Sequence, residues 1–345
     1  GGKNFIMSVI HETFNLGQSI WLDFIDRSMI AGGLQKWIDN GVVGVTTNPS
    51  IFENAIAKTS DYDDEIKSLA KAGKTSAEIY EVLTVQEVGA AADILRPVYD
   101  KTNGKDGYVS LEVNPLIASD KETTVSEAKR LFKLLNRPNV MIKIPATPEG
   151  IEALTEVISA GVNVNSTLIF SLEQYVNVAK AYIKGGCKAE SVASVFVSRV
   201  DSAVDKLLAE KNATELCGQI AVDGIKLIYQ SFKEIFKGVE RKQRPLWAST
   251  GTKNKAYSDC KYVDELIGPD TVNTVPPAAM EAFFNHGKAA LTLETGLEKA
   301  KEDMKKIKAI GIDLDAVNAK LLADGLTQFN KAFESLMAAI ESKAK

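Results

Sequence analysis

Histidine and cysteine are scarce in this chain of 345 residues, which holds only His11, His286, Cys187, Cys217 and Cys260. The two histidines lie far apart in sequence, and neither stands beside a serine or cysteine in a strand-turn context. A serine-histidine triad or a histidine-based metal site is therefore poorly supported. No CxxC pair occurs and the cysteine total is odd, which fits a reducing compartment better than a disulfide scaffold or a structural zinc site. There is no run of about 18 apolar residues and no basic start followed by an apolar stretch, so neither a spanning helix nor a secretory leader is expected. The cytoplasm is the expected location. Residues 1–6 read as an appended segment with Met7 as a natural start, and residues 1–15 as an extension outside the folded unit.

A dominant charge sign is also missing. The 41 Lys+Arg and 45 Asp+Glu leave a net charge of −4 and a sequence pI near 5.5, with no basic block. Nucleic acid and anionic membrane surfaces are not expected partners, whereas a small anion needs only a local positive pocket. If the chain is an enzyme without working histidines, proton transfer falls to carboxylates or lysine.

What is present is alternation. Short β-branched, apolar runs at 19–25, 42–47, 108–113, 140–144, 162–170, 191–199, 245–249 and 271–275 predict strands. Helical periodicity fills 29–40, 76–99, 124–135, 149–160, 172–184 and 201–236. Such alternation implies a parallel sheet. A doubly wound sheet would usually show a glycine-rich first turn, and GxGxxG is absent; Gly73-Lys74-Thr75 is no P-loop, since Ser68 stands where its first glycine belongs. Eight repeats favour an α/β fold of the (β/α)8 TIM-barrel type, a single domain over 16–345 with a helical tail at 278–345. In the tail, Leu314, Val317, Leu321, Phe329, Phe333, Leu336 and Ile340 trace one apolar stripe. It packs against the barrel wall or covers the mouth.

In such barrels the active site lies at the C-terminal strand ends. Asp23 ends the first strand among apolar neighbours, where a carboxylate is dehydrated and its proton affinity raised; a helix cap is the alternative. Asn48 precedes Pro49, which holds it extended, in a turn or at the barrel mouth. Glu112 lies on a strand suited to burial and needs a partner or a role. Lys143, between Ile142 and Ile144, is the sharpest signal. A lysine in an apolar barrel loses solvation for its ammonium, which favours the neutral amine that a Schiff-base nucleophile uses. An ion pair with Asp23 or Glu112 is the competing reading, compatible with the first because the nucleophile needs carboxylates nearby. Asn165 and Thr167 share a face by the two-residue period and hold a water or a substrate hydroxyl, or bond to neighbouring polar groups. Arg199 closes the sixth strand; with Ser249 and Lys253 after the seventh it forms a candidate phosphate pocket.

The segments 21–27, 46–52, 110–115, 141–150, 165–171, 194–199 and 248–254 together resemble those of transaldolase, most closely the longer bacterial branch, over about 16–277. The resemblance implies a class I, metal-free reaction with no cofactor. A dihydroxyacetone unit passes from sedoheptulose 7-phosphate or fructose 6-phosphate to glyceraldehyde 3-phosphate or erythrose 4-phosphate in the non-oxidative pentose phosphate pathway. It implies Lys143 as the Schiff base, Asp23 as acid/base at the cleaved bond, and Glu112 with Thr167 positioning a water. Asn48 and Asn165 would hold donor hydroxyls, Ser194 and Phe196 line the pocket, and Arg199 and Ser249 bind phosphate. One departure stands out: similar short-form sequences carry an arginine two residues after the serine. Here the loop is Ser249-Thr250-Gly251-Thr252-Lys253, which aligns Lys253 with that arginine.

Small-molecule sugar phosphates are thus the expected partners, and a homodimer is compatible with the sequence. Two further readings remain at this point: a fructose 6-phosphate aldolase-type lyase, whose relatives carry a glutamine at the position of Glu112, and a barrel that binds sugar phosphates without catalysis.

Overall fold

A computed structural model of the protein describes residues 6–345. Eight parallel strands close into a barrel in sequence order: β1 (Gln18–Asp23), β2 (Gly44–Thr46), β3 (Tyr108–Glu112), β4 (Val140–Pro145), β5 (Val164–Ile169), β6 (Ser191–Phe196), β7 (Arg244–Ala248) and β8 (Thr271–Val275). The helices are α1 (Val9–Asn15), α2 (Leu34–Asp39), α3 (Pro49–Phe52), α4 (Asp63–Lys71), α5 (Ser76–Lys101), α6 (Lys121–Leu135) and α7 (Pro148–Ser159). They continue as α8 (Leu172–Lys184), α9 (Ser198–Glu210), α10 (Ile220–Ile235), α11 (Lys261–Asp264), α12 (Pro277–His286), α13 (Leu297–Ala309) and α14 (Leu314–Ala344). This is the α/β barrel that the alternation implied.

Three local expectations are corrected. The helix expected over 201–236 is two helices, because the chain between them turns through left-handed Asn212 (φ 54°) and Gly218 (φ 74°). The sixth strand ends at Phe196, so Arg199 lies in the first turn of α9 rather than on a strand. Of the residues set aside as an N-terminal extension, 1–5 fall outside the described region, but α1 is folded: Ser8 caps it and Ile10 and Thr13 are buried where it packs on β1 and α12.

Inward positions follow the two-residue period. Trp21 fills the barrel beside Gly44, where a Cβ would meet its ring at 2.6 Å. At the N-terminal end, Asp106 accepts hydrogen bonds from Ser19 Oγ (2.9 Å), Trp21 Nε1 (3.0 Å) and Arg244 Nη2 (3.1 Å). Both members of this ion pair are buried. In the middle, Ser194 Oγ donates to Asn165 Oδ1 at 2.6 Å and Asn165 Nδ2 donates to Ser110 Oγ at 3.2 Å. The tail's stripe serves both of its readings: α14 packs on the outer helices α4, α5 and α9 and also contacts α3 and β5 across the C-terminal mouth, with its own Phe329, Phe333, Leu336 and Ile340 buried.

A buried charge stripped of its partner is costly, so Asp106→Ala, which leaves Arg244 uncompensated, should lose about 3–5 kcal/mol of stability. Urea unfolding measures this; a loss below about 1 kcal/mol would mean the pair behaves as a surface ion pair.

Candidate active site

Strand ends bring most of the candidate residues to one cavity of about 160 Å³, lined among others by Asp23, Asn48, Lys143, Ser194, Phe196, Arg199, Ser249 and Lys253. Glu112, Asn165 and Thr167 do not line it. They lie on the adjoining strands, with Glu112 and Asn165 in register with Lys143 on either side.

Lys143 is buried and, among the described residues, has no hydrogen bond or ion pair to a carboxylate. Its ammonium donates to Thr46 Oγ1 at 3.2 Å and to the Thr47 carbonyl at 3.1 Å. The ion-pair reading therefore fails as a direct contact, although Lys143 still opposes the rise in proton affinity at both Asp23 and Glu112. Burial dominates at both carboxyls. It pushes Glu112 up to about 7, and raises Asp23 against the pull of Lys143, Lys253 and Arg199. Among the described residues Asp23 caps no helix; the neighbouring Asp26 accepts from the Met29 N–H at 2.8 Å.

The carboxylate oxygens of Glu112 and the hydroxyl of Thr167 are buried without hydrogen-bond partners. Such groups are rare and expensive to leave unmet. Asn48 serves both of its readings: its Oδ1 accepts from the Ile51 N–H at 2.8 Å as the cap of α3, and the residue also lines the cavity.

At the other side of the cavity, Ser249 adopts a left-handed backbone (φ 55°), a strained state for a non-glycine residue that such sites often carry. Its hydroxyl sits 2.9 Å from Ser198 Oγ, and its carbonyl accepts the Ser198 N–H at 3.0 Å. The loop after β7 is thereby fastened to the first turn of α9, whose N-terminus has no side-chain cap and which carries Arg199. Burial lowers the proton affinity of the Arg199 guanidinium, while Asp23 acts the other way. Lys253 is exposed at the rim.

Sequence reasoning passed over Thr46, Thr274 and Phe329, which also line the cavity. The two-residue period pointed to Thr46, since Gly44 and Thr46 share the inner face of β2; nothing local marked Phe329, which arrives from the tail. Among the described residues one group, Asp259, Cys260 and His286, brings metal-ligand atoms within 4.8 Å of one another. None of the three lines this cavity, and two of their contacts are already internal, with His286 Nε2 2.6 Å from Asp259 Oδ1 and Cys260 Sγ donating to Asp264.

The sequence model of the Transaldolase/Fructose-6-phosphate aldolase family matches residues 20–340. A transaldolase of Trichodesmium erythraeum is 45% identical, covering 97% of each chain. Transaldolase 1 of Streptomyces avermitilis is also 45% identical, over 95% of this chain and 94% of its own. A transaldolase of Neisseria meningitidis is 42% identical, over 96% and 99%.

Because the folded state holds the Glu112 proton to about 7 rather than the ordinary 4.5, it binds more protons than the unfolded chain across that window. Stability therefore falls as pH rises through it, and the cost is fully present above about 7. Glu112→Gln removes this dependence, so its stability relative to the parent should improve by an order of 1–3 kcal/mol between pH 5 and pH 8. Paired urea titrations at the two pH values measure it; an unchanged difference would refute the raised proton affinity.

Proposed function

The chain belongs to the transaldolase/fructose-6-phosphate aldolase family, and we propose that it is a transaldolase, transferring a dihydroxyacetone unit from a ketose phosphate to an aldose phosphate. The observation that carries this reading is a buried lysine free of any carboxylate contact, lining one cavity with an acid/base candidate and with three residues suited to phosphate. Fructose 6-phosphate and sedoheptulose 7-phosphate are the donors in this reading, in the non-oxidative pentose phosphate pathway; erythrose 4-phosphate and glyceraldehyde 3-phosphate are the acceptors.

Lys143 attacks the donor ketone as the amine, and the proton its ammonium released returns to the carbinolamine hydroxyl, which leaves as water and gives an iminium. Asp23, with its raised proton affinity, takes the proton from the hydroxyl next to the scissile carbon-carbon bond. The bond's electron pair passes into the iminium, an aldose phosphate leaves, and a neutral enamine stays on Lys143. When the acceptor aldehyde binds, the enamine carbon attacks it and Asp23 returns its proton to the new hydroxyl. Water then hydrolyses the iminium and frees the product.

That water needs a seat, and the unpartnered oxygens of Glu112 and Thr167 supply one, with Glu112 poised to exchange a proton near neutral pH. Asn48 offers its amide N–H groups to donor hydroxyls, and Asn165 acts there through Ser194, which it holds at 2.6 Å. The phosphate would lie against Arg199, Ser249 and Lys253 at the uncapped start of α9, where the helix dipole also favours an anion.

Borohydride reduction with fructose 6-phosphate should leave a mass adduct on Lys143, and Lys143→Ala should lose both adduct and activity while keeping its fold. Absence of the adduct in the parent would sink the mechanism. Dihydroxyacetone release should be slow without erythrose 4-phosphate; fast release without acceptor would make the protein a lyase. Arg199→Ala should raise KM for phosphorylated substrates by about 10–100-fold, the worth of one charge-assisted contact, and leave unphosphorylated analogues little changed.

A further inference from the structure

Arg199 is untethered by polar contacts. Among the described residues no hydrogen bond or ion pair takes its N–H groups; its close contacts are two aromatic rings. The guanidinium carbon lies 5.1 Å from the ring centre of Phe196 and 5.9 Å from that of Phe329. Phe196 belongs to β6, but Phe329 comes from α14. It is buried to 2% exposure and lines the same cavity as Lys143, Ser249 and Lys253.

The rest of α14 holds that ring in place. Lys343 donates to the Thr59 carbonyl at 2.9 Å and pairs with Asp63, and Phe333 packs edge-on against Tyr80 with ring centres 5.3 Å apart. One turn before Phe329 stands Gly325. A Cβ there would lie 3.0 Å from Leu168 and 3.5 Å from an Arg199 nitrogen. Leu168 itself is fully buried and has a left-handed backbone (φ 60°) at the irregularity between β5 and β6. Glycine at 325 is what lets the helix lie this close.

We propose that Phe329 is a specificity-determining residue for the phosphorylated end of the substrate. With Phe196 it confines the Arg199 guanidinium by ring contact, which leaves the in-plane N–H groups free for a phosphate. A polar tether would use up donors; aromatic contacts do not. The tail therefore completes the phosphate site, and a sugar lacking the phosphate gains nothing from it. This rests on the transaldolase reading above.

The test is steady-state kinetics of Phe329→Leu, which keeps an apolar side chain and loses the ring, and of Phe329→Tyr, which keeps the ring. Each is assayed with glyceraldehyde 3-phosphate and with unphosphorylated glyceraldehyde as acceptor. With saturating fructose 6-phosphate as donor, Phe329→Leu should raise KM for the phosphorylated acceptor about tenfold and shift KM for glyceraldehyde less than about twofold, with kcat within about twofold; Phe329→Tyr should keep the parental KM. Gly325→Ala, whose methyl group crowds Leu168 beneath α14, should shift KM the same way by displacing Phe329, and carries the test if Phe329→Leu fails to fold. An equal loss with both acceptors, or a parental KM in Phe329→Leu and Gly325→Ala alike, would overturn the proposal. Borohydride trapping on the parent separates the two levels: no adduct on Lys143 removes the transaldolase reading, whereas an adduct with an unshifted KM removes only the role of Phe329.

Discussion

A lysine ammonium lodged inside an apolar barrel with a hydroxyl and a carbonyl for company is the constraint on which the site depends. Thr46 and Thr47 give Lys143 hydrogen bonds without giving it a countercharge. A carboxylate in contact would have formed a buried ion pair. Instead the nearest carboxyls act at longer range, and burial raises the proton affinity of both. The charges of Lys143, Lys253 and Arg199 thus act on Asp23 through the field of the cavity rather than through pairs.

The two ends of the barrel solve the burial of charge in opposite ways. At the N-terminal end Arg244 and Asp106 touch, and Ser19 and Trp21 satisfy the remaining acceptor capacity. At the C-terminal end the oxygens of Glu112 and Thr167 are left without partners. A fully met network is rigid and inert; an unmet one waits for water or substrate. The same eight strands therefore supply a foundation at one end and reactivity at the other, in keeping with how this architecture divides stability from function.

Much of this was legible in the sequence because it depends on local contrast. Lys143 between two isoleucines, Glu112 on a burial-prone strand and Asp23 among apolar neighbours all violate the pattern around them. Arg199 was found as a residue but assigned to the wrong element, since 191–199 is apolar enough to pass for one strand and the kink at Val197 has no glycine or proline to announce it. The break between α9 and α10 was missed because helical periodicity continues across it while the left-handed residues are an asparagine and a lone glycine. Phe329 was visible only as one member of an apolar stripe. Its neighbours in space come from β6 and α9, more than a hundred residues earlier, and no local pattern carries that distance.

The position of α14 also bears on when the protein becomes competent. Everything the helix covers is made before it: the eight strands are complete at Val275, and the 31-residue covering helix begins only at Leu314. At a synthesis rate of about 5–20 residues per second, that element alone takes roughly 2–6 seconds to make. During that interval a folded barrel would already hold Lys143 at a mouth that α14 does not yet cover, with Arg199 lacking the Phe329 ring beside it. Completion of the cavity wall thus waits on the docking of α14, which brings Phe329 to strands made well before it.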